Sequence, residues 1–166
     1  MKEFLRLIDV DTSGSRNDVT PLFADAKGFA ALVANIYSHF PREGYDLVAG
    51  IDALGFVMGA AIALRAERGF FAVRKGGKLP VETESLDFVD YTGKQKSLEI
   101  RTDILTPGTR VLLVDEWVET GAQVWTAVRL IESQEGVIAG IGSINFDESK
   151  TIQALKERYD CYQVWD

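Results

Sequence analysis

The sequence predicts an α/β protein with a mainly parallel central sheet flanked by helices. Three observations predict it. Strand-like apolar runs alternate with segments of helical periodicity along most of the chain. The clearest unit, Arg110 to Ser133, passes from an apolar strand through a polar turn into an amphipathic helix. The length, 166 residues, suits one domain spanning 1–166 with a sizeable core.

The elements follow in order. Asp25 is placed to cap a helix from Ala26 to Phe40, in which Phe29, Leu32, Val33, Ile36 and Phe40 recur at helical spacing. Asp46 to Ile51 (DLVAGI) reads as a buried parallel strand. Gly55 to Arg68 reads as a helix of small residues, suited to close packing on a sheet. Phe70 to Val73 is a short second strand. Thr83 to Phe88 and Ser97 to Thr102 read as the arms of a hairpin around Asp90 to Lys96. Arg110 to Val114 (RVLLV) is an apolar strand, Asp115 to Gly121 a polar turn, and Ala122 to Ser133 a helix with Val124, Val128 and Ile131 on one face. Val137 to Ile144 is another strand, Glu148 to Arg158 a helix, and Cys161 to Trp165 the last strand. Sheets of this kind bind ligands at the carboxyl ends of their strands, so the loops after Ile51, Val73 and Val114 are where a site is expected.

Composition excludes several function classes. The net charge of −7, from 18 basic and 25 acidic residues, argues against a nucleic-acid partner but leaves room for a small anion at a local basic cluster. Cys161 and His39 are the only residues of their types, so no internal disulfide, thiolate metal cluster or two-histidine scheme can be built within one chain. His39 is expected at the surface, and Cys161 buried and inert. The start, MKEFLRLIDVD, has no signal-like apolar stretch, and no run approaches the roughly 20 residues of a membrane span. A cytoplasmic protein without a membrane partner is expected.

Two stretches carry chemistry. In Val111 to Gln123 (VLLVDEWVETGAQ), an apolar strand ends in Asp115 and Glu116, and a small-residue turn then opens a helix. A helix start offers unpaired N–H groups and a partial positive charge, which suit a phosphate, and Gly121 lets the backbone approach it. Asp115 and Glu116 can accept hydrogen bonds from adjacent sugar hydroxyls. The same residues also fit an N-cap at Thr120 with two solvated acids. In Val73 to Pro80 (VRKGGKLP), Arg74, Lys75 and Lys78 beside two glycines read either as a pyrophosphate clamp or as a solvated basic turn. Trp117 fits the core or the nucleobase side of a pocket.

These motifs resemble those of type I phosphoribosyltransferases, and most closely the adenine phosphoribosyltransferases. The resemblance runs from Asn17 onward. Asp18 to Leu22 (DVTPL) is similar to the family's Asp-Ile-Thr-Pro-Leu, whose backbone meets the purine edge. Asp46 to Ala61 is similar to the segment ending in the pyrophosphate loop, and VRKGGKLP to the family's Val-Arg-Lys-x-Gly-Lys-Leu-Pro. The resemblance implies that Asp115 and Glu116 bind the ribose hydroxyls and that Glu119, Thr120, Gly121, Ala122 and Gln123 hold the 5′-phosphate. It implies that residues 80–100 form a small mobile hood, and a long polar loop without core periodicity agrees with mobility. There Asp90 and Tyr91 are the counterparts of a Glu that handles a purine proton and a Tyr that covers the substrate. Asp90 and Glu116 are the implied catalytic residues. The implied reaction transfers ribose 5-phosphate from phosphoribosyl pyrophosphate to a purine base with release of pyrophosphate. It uses Mg²⁺ and yields a nucleoside monophosphate, in a homodimer. The alternative is a non-catalytic module sensing a nucleotide or phosphoribosyl pyrophosphate.

The chain departs from the family at four positions. Leu54 stands where an Arg before Gly-Phe faces pyrophosphate. Glu119 replaces a small residue, Ala122 a Gly, and Gln123 a hydroxyl residue of the phosphate loop. Asn17 stands where Arg or Lys is common. An acid beside a phosphate is unfavourable unless it points outward or meets a cation. Weakened binding of phosphoribosyl pyrophosphate is therefore expected.

Overall fold

The computed structural model describes residues 2–13, 16–90 and 92–165. Tyr91 lies outside the described residues. Along the chain run α1 (Thr20–Ala24), α2 (Ala26–His39), β1 (Leu47–Ile51), α3 (Leu54–Ala66), β2 (Gly69–Lys75), β3 (Thr83–Val89) and β4 (Gln95–Arg101). They are followed by β5 (Arg110–Val118), α4 (Ala122–Ser133), β6 (Val137–Phe146), α5 (Lys150–Arg158) and β7 (Cys161–Gln163). The strands form one seven-stranded sheet in the order β3-β4-β2-β1-β5-β6-β7. The run from β2 to β7 is parallel. The β3–β4 hairpin is antiparallel and joins β2 through the pairs Arg74–Glu99 and Lys75–Leu98.

Local chemistry sets the helix starts. The Asp25 carboxylate accepts from the Gly28 N–H at 2.6 Å, so α2 begins where the sequence places it. Ser149 accepts from the Ile152 N–H at 3.0 Å, which starts α5 two residues later than expected. Apolar residues fill two layers. Leu32, Ile36, Met58 and Ile62 pack on one sheet face with Leu112, Val114 and Ile144. Val124, Val128 and Ile131 pack on the other with Val111, Leu113, Leu98 and Ile100.

The small residues of α3 serve a close approach. A Cβ on Gly50 would lie 2.4 Å from the Gly55 carbonyl oxygen, and one on Gly55 would lie 2.7 Å from that of Val114. The first turn of α3 thus sits against the ends of β1 and β5, which brings the loops after both strands to one place.

Four expectations change. β5 does not stop at Val114; it runs on through Asp115, Glu116, Trp117 and Val118, because pairing with β6 continues to Val118–Phe146. The expected hairpin arms form as β3 and β4, but they do not lack core contacts: Phe88, Leu98 and Ile100 are buried. Cys161 is half-buried rather than buried. Burial still pushes its thiol up to about 11, so it is unreactive at neutral pH. The last strand ends at Gln163, short of Trp165. His39 is at the surface as expected, stacked on Tyr162 at 4.1 Å and 3.1 Å from Asp160.

Gly50→Ala should lower unfolding stability by about 1–3 kcal/mol, because the added methyl meets backbone rather than a flexible side chain. Urea denaturation checks this; an unchanged midpoint would mean that α3 can slide outward freely.

Candidate active site

A cleft of about 270 Å³ opens at the carboxyl ends of β1 and β5. Asp115 and Glu116 line it from β5, and Glu119, Thr120, Gly121 and Gln123 line it from the turn into α4. Asp52, Ala53 and Leu54 come from the end of β1, Lys75 from the end of β2, and Asp90 and Lys96 from the hairpin. Arg16 closes the remaining side. A second hollow of about 120 Å³ adjoins it, lined by Asn17, Asp18, Val19, Trp117 and Asp147. Arg16, Leu54, Glu116, Trp117 and Glu119 line both.

The two acids differ in setting. Asp115 is 4% exposed, not at a solvent-facing end. Burial, and then the charge of Glu116, push its carboxyl well above the ordinary value. Its Oδ1 accepts from the Glu116 N–H at 3.0 Å. Glu116 is half-buried. Val114 and Trp117 pack in the same layer although three residues apart, so strict strand alternation breaks between them, and both acids reach one cleft.

The turn into α4 is built on Gly121. Gly121 has φ 81° and leads into α4; a Cβ there would lie 2.9 Å from Ile152 Cγ1. The Thr120 hydroxyl accepts from the Ala122 N–H at 3.3 Å, and Ser149 donates to the Thr120 carbonyl at 2.9 Å. Ala122 itself is not among the lining residues; it packs against the core. Glu119 meets a cation, Arg16, at 2.8 Å. The acid is therefore not set uncompensated against the turn. Trp117 packs partly into the core, its Nε1 donates to Asp147 at 3.0 Å, and the residue also lines both hollows.

The basic stretch divides. Lys75 lines the cleft, whereas Arg74 and Lys78 do not. Arg74 turns to Asp52 at 3.2 Å and lies over the Phe56 ring, because β2 alternates its side chains across the sheet. The turn that follows is organised by Glu99, which the sequence reading missed. Its carboxylate, 4% exposed, accepts from the N–H groups of Gly77, Lys78 and Leu79 at 2.8, 2.7 and 2.7 Å. Burial would raise its carboxyl, but those three donors and Arg74 outweigh it and hold it below the ordinary value. An acid between the apolar residues Leu98 and Ile100 was the available signal. Arg16, Asp52 and Lys96 were also missed.

Asp90 faces the cleft with its carboxylate already engaged. Lys96 forms an ion pair with it, and the Thr92 N–H and hydroxyl donate to it at 2.8 and 2.6 Å. Lys96 first, then Thr92, hold its carboxyl well below the usual range.

No family model matches the chain. An adenine phosphoribosyltransferase of Caldanaerobacter subterraneus subsp. tengcongensis is 37% identical over 166 residues, covering 99% of this chain and 94% of the relative. The chain belongs to the adenine phosphoribosyltransferase family. One of Bifidobacterium adolescentis is 41% identical over 129 residues, 76% of this chain and 66% of that protein. The crystal structure of adenine phosphoribosyltransferase from Thermoanaerobacter pseudethanolicus superposes with a TM-score of 0.86 at 30% identity, over 98% of this chain and 96% of the other. That of Saccharomyces cerevisiae, at 22% identity and a TM-score of 0.84, shares the fold. This membership supports a phosphoribosyltransferase enzyme and does not favour the non-catalytic sensing module.

Glu99→Gln should destabilise the protein by about 1–3 kcal/mol at neutral pH, because an amide NH₂ must face one of the three donors. A carboxyl held below its ordinary value adds stability that is present above 4.5 and lost as pH falls through the lowered value. The gap between wild type and Glu99→Gln, followed by urea denaturation, should therefore narrow below pH 4.5.

Proposed function

We propose that the family reaction runs in this cleft, with ribose 5-phosphate passing from phosphoribosyl pyrophosphate to adenine. The observation that carries this is the convergence of Asp115, Glu116 and the Thr120–Gly121 turn on one cleft at the start of α4. The 5′-phosphate lies at Thr120, Gly121 and Gln123, where the helix start supplies N–H donors. Asp115 and Glu116 take the ribose hydroxyls. Lys75 faces the pyrophosphate, and the hollow beside Asn17, Asp18 and Val19 receives the base. The base nitrogen forms a bond to the anomeric carbon, the carbon–oxygen bond to pyrophosphate breaks, pyrophosphate leaves with the electron pair, and the imidazole proton given up by the base passes to water.

Cations around the leaving group supply most of the stabilisation. Among the described residues no three His, Cys, Asp or Glu side chains form a metal cage. Asp115 and Glu116 in the cleft are hard oxygen donors of the kind Mg²⁺ takes, one or two carboxylates plus substrate oxygens. When bound it would neutralise charge on the departing pyrophosphate, with Asp115 and Glu116 as its nearest hard ligands. Asp90 is assigned to shaping the hairpin rather than to proton transfer, since its carboxylate is already held by Lys96 and by the Thr92 N–H and hydroxyl. Glu116 remains the acid beside the reacting sugar.

A homodimer is also proposed. Val57 and Leu64, one helical face apart on α3, are exposed, Leu64 at 81%. Lys78 is exposed and outside its own cleft. A cytoplasmic location is proposed with it; no helix among the described residues is long and apolar enough to cross a membrane.

Pyrophosphate release assayed with a panel of bases tests the reading. Adenine should be the preferred acceptor, and turnover with another base alone would overturn it. Asp115→Asn with Glu116→Gln should weaken phosphoribosyl pyrophosphate binding by about 1–3 kcal/mol per charged hydrogen bond lost. Calorimetry checks this, and unchanged affinity would leave the acids as a strand-end feature only. Leu54→Arg should raise that affinity roughly ten- to a hundredfold by the same measurement.

A further inference from the structure

Arg16 and Glu119 form a bar across the cleft. Arg16 comes from the loop before α1 and Glu119 from the phosphate turn; they meet at 2.8 Å. Both line the larger cleft and also the smaller hollow, so the bar stands at the boundary between the two. Leu54 lines the same two spaces. The cation that the sequence lacks at position 54 is thus matched by Arg16 in the lining of the same two spaces, and the acid that the sequence adds at 119 is one of its partners.

We propose that Arg16 is a substrate-binding residue of this chain, and that Glu119 is a built-in competitor which the substrate's phosphate displaces from it. This rests on the reading of the cleft given above. The exchange is physically reasonable. The Arg16 side chain is 52% exposed and that of Glu119 is 21% exposed, and a bridge so open to solvent is weak and readily broken. A phosphate offers a guanidinium more charge and a better-matched set of acceptors than one carboxylate does. Burial pushes the Glu119 carboxyl up, Arg16 offsets only part of that, and Asp147 and Glu116 add to the push.

The proposal predicts non-additive mutations. Calorimetric affinity for phosphoribosyl pyrophosphate should be measured on wild type, Arg16→Ala, Glu119→Gln and the double variant, each shown folded by circular dichroism. Arg16→Ala should weaken binding about tenfold or more, and Glu119→Gln should tighten it several-fold. In the Arg16→Ala background, Glu119→Gln should change little. An equal gain in both backgrounds would mean that Glu119 acts by repulsion alone, and unchanged affinity in Arg16→Ala would remove Arg16 from the site; either overturns the proposal while leaving the cleft's assignment intact. Binding by none of the four would overturn that assignment and the proposal together. Arg16→Lys adds a control: it should restore only part of the affinity, because an ammonium lacks the planar fork.

Discussion

The clamping of β5 between β1 and β6 is the constraint from which the site follows. Val111 to Val114 are fully buried, with apolar layers on both faces and a paired strand on each edge. A one-residue slip would exchange the two layers and draw Asp115 further into the core, so the register is strongly fixed. The strand therefore delivers its two acids to one place. The glycines at 50 and 55 bring α3 close enough that the β1 loop shares that place. The hairpin, Arg16 and Lys75 then complete walls around an already determined floor.

The walls are charged, and the charges are largely neutralised before any ligand arrives. Asp52 sits with Arg74 and Lys75, Asp90 with Lys96, Glu119 with Arg16, and Glu99 with three backbone donors. A cleft meant for a highly charged anion would otherwise bring like charges together in the empty protein. Internal pairing avoids that repulsion, and any anion entering the cleft competes with acids for their cations. Exposure decides which pairs yield. Those open to water exchange readily, whereas the enclosed Glu99 cluster acts as scaffold.

Much of this was legible in the sequence, for local reasons. α2 and α4 begin where predicted because a cap or a glycine turn, followed by helical periodicity, is a short-range signal. The carboxylate pair and the Thr120–Gly121 turn were likewise visible, since they sit in one run of residues. β5 was read too short because two acids interrupt its apolar run, and only its pairing with β6 carries the strand onward. The hairpin's two arms were seen, but not their burial, since Leu98 and Ile100 flank an acid that looks solvated. Arg16 meeting Glu119, Asp52 meeting Arg74, and Lys75 parting from Arg74 and Lys78 all depend on which way side chains face across distant elements. No local pattern encodes that.

The outer strands of the sheet have a consequence for behaviour in a crowded solution. β7 has only three residues, and β3 carries Glu84 and Asp87 along the opposite rim. An incoming strand finds too few rungs at one end and negative charge at the other. The sheet's most aggregation-prone run, RVLLV, lies in the third strand from its nearer rim and is covered on both faces. Neither rim of the folded sheet offers a long, uncharged edge to a second strand.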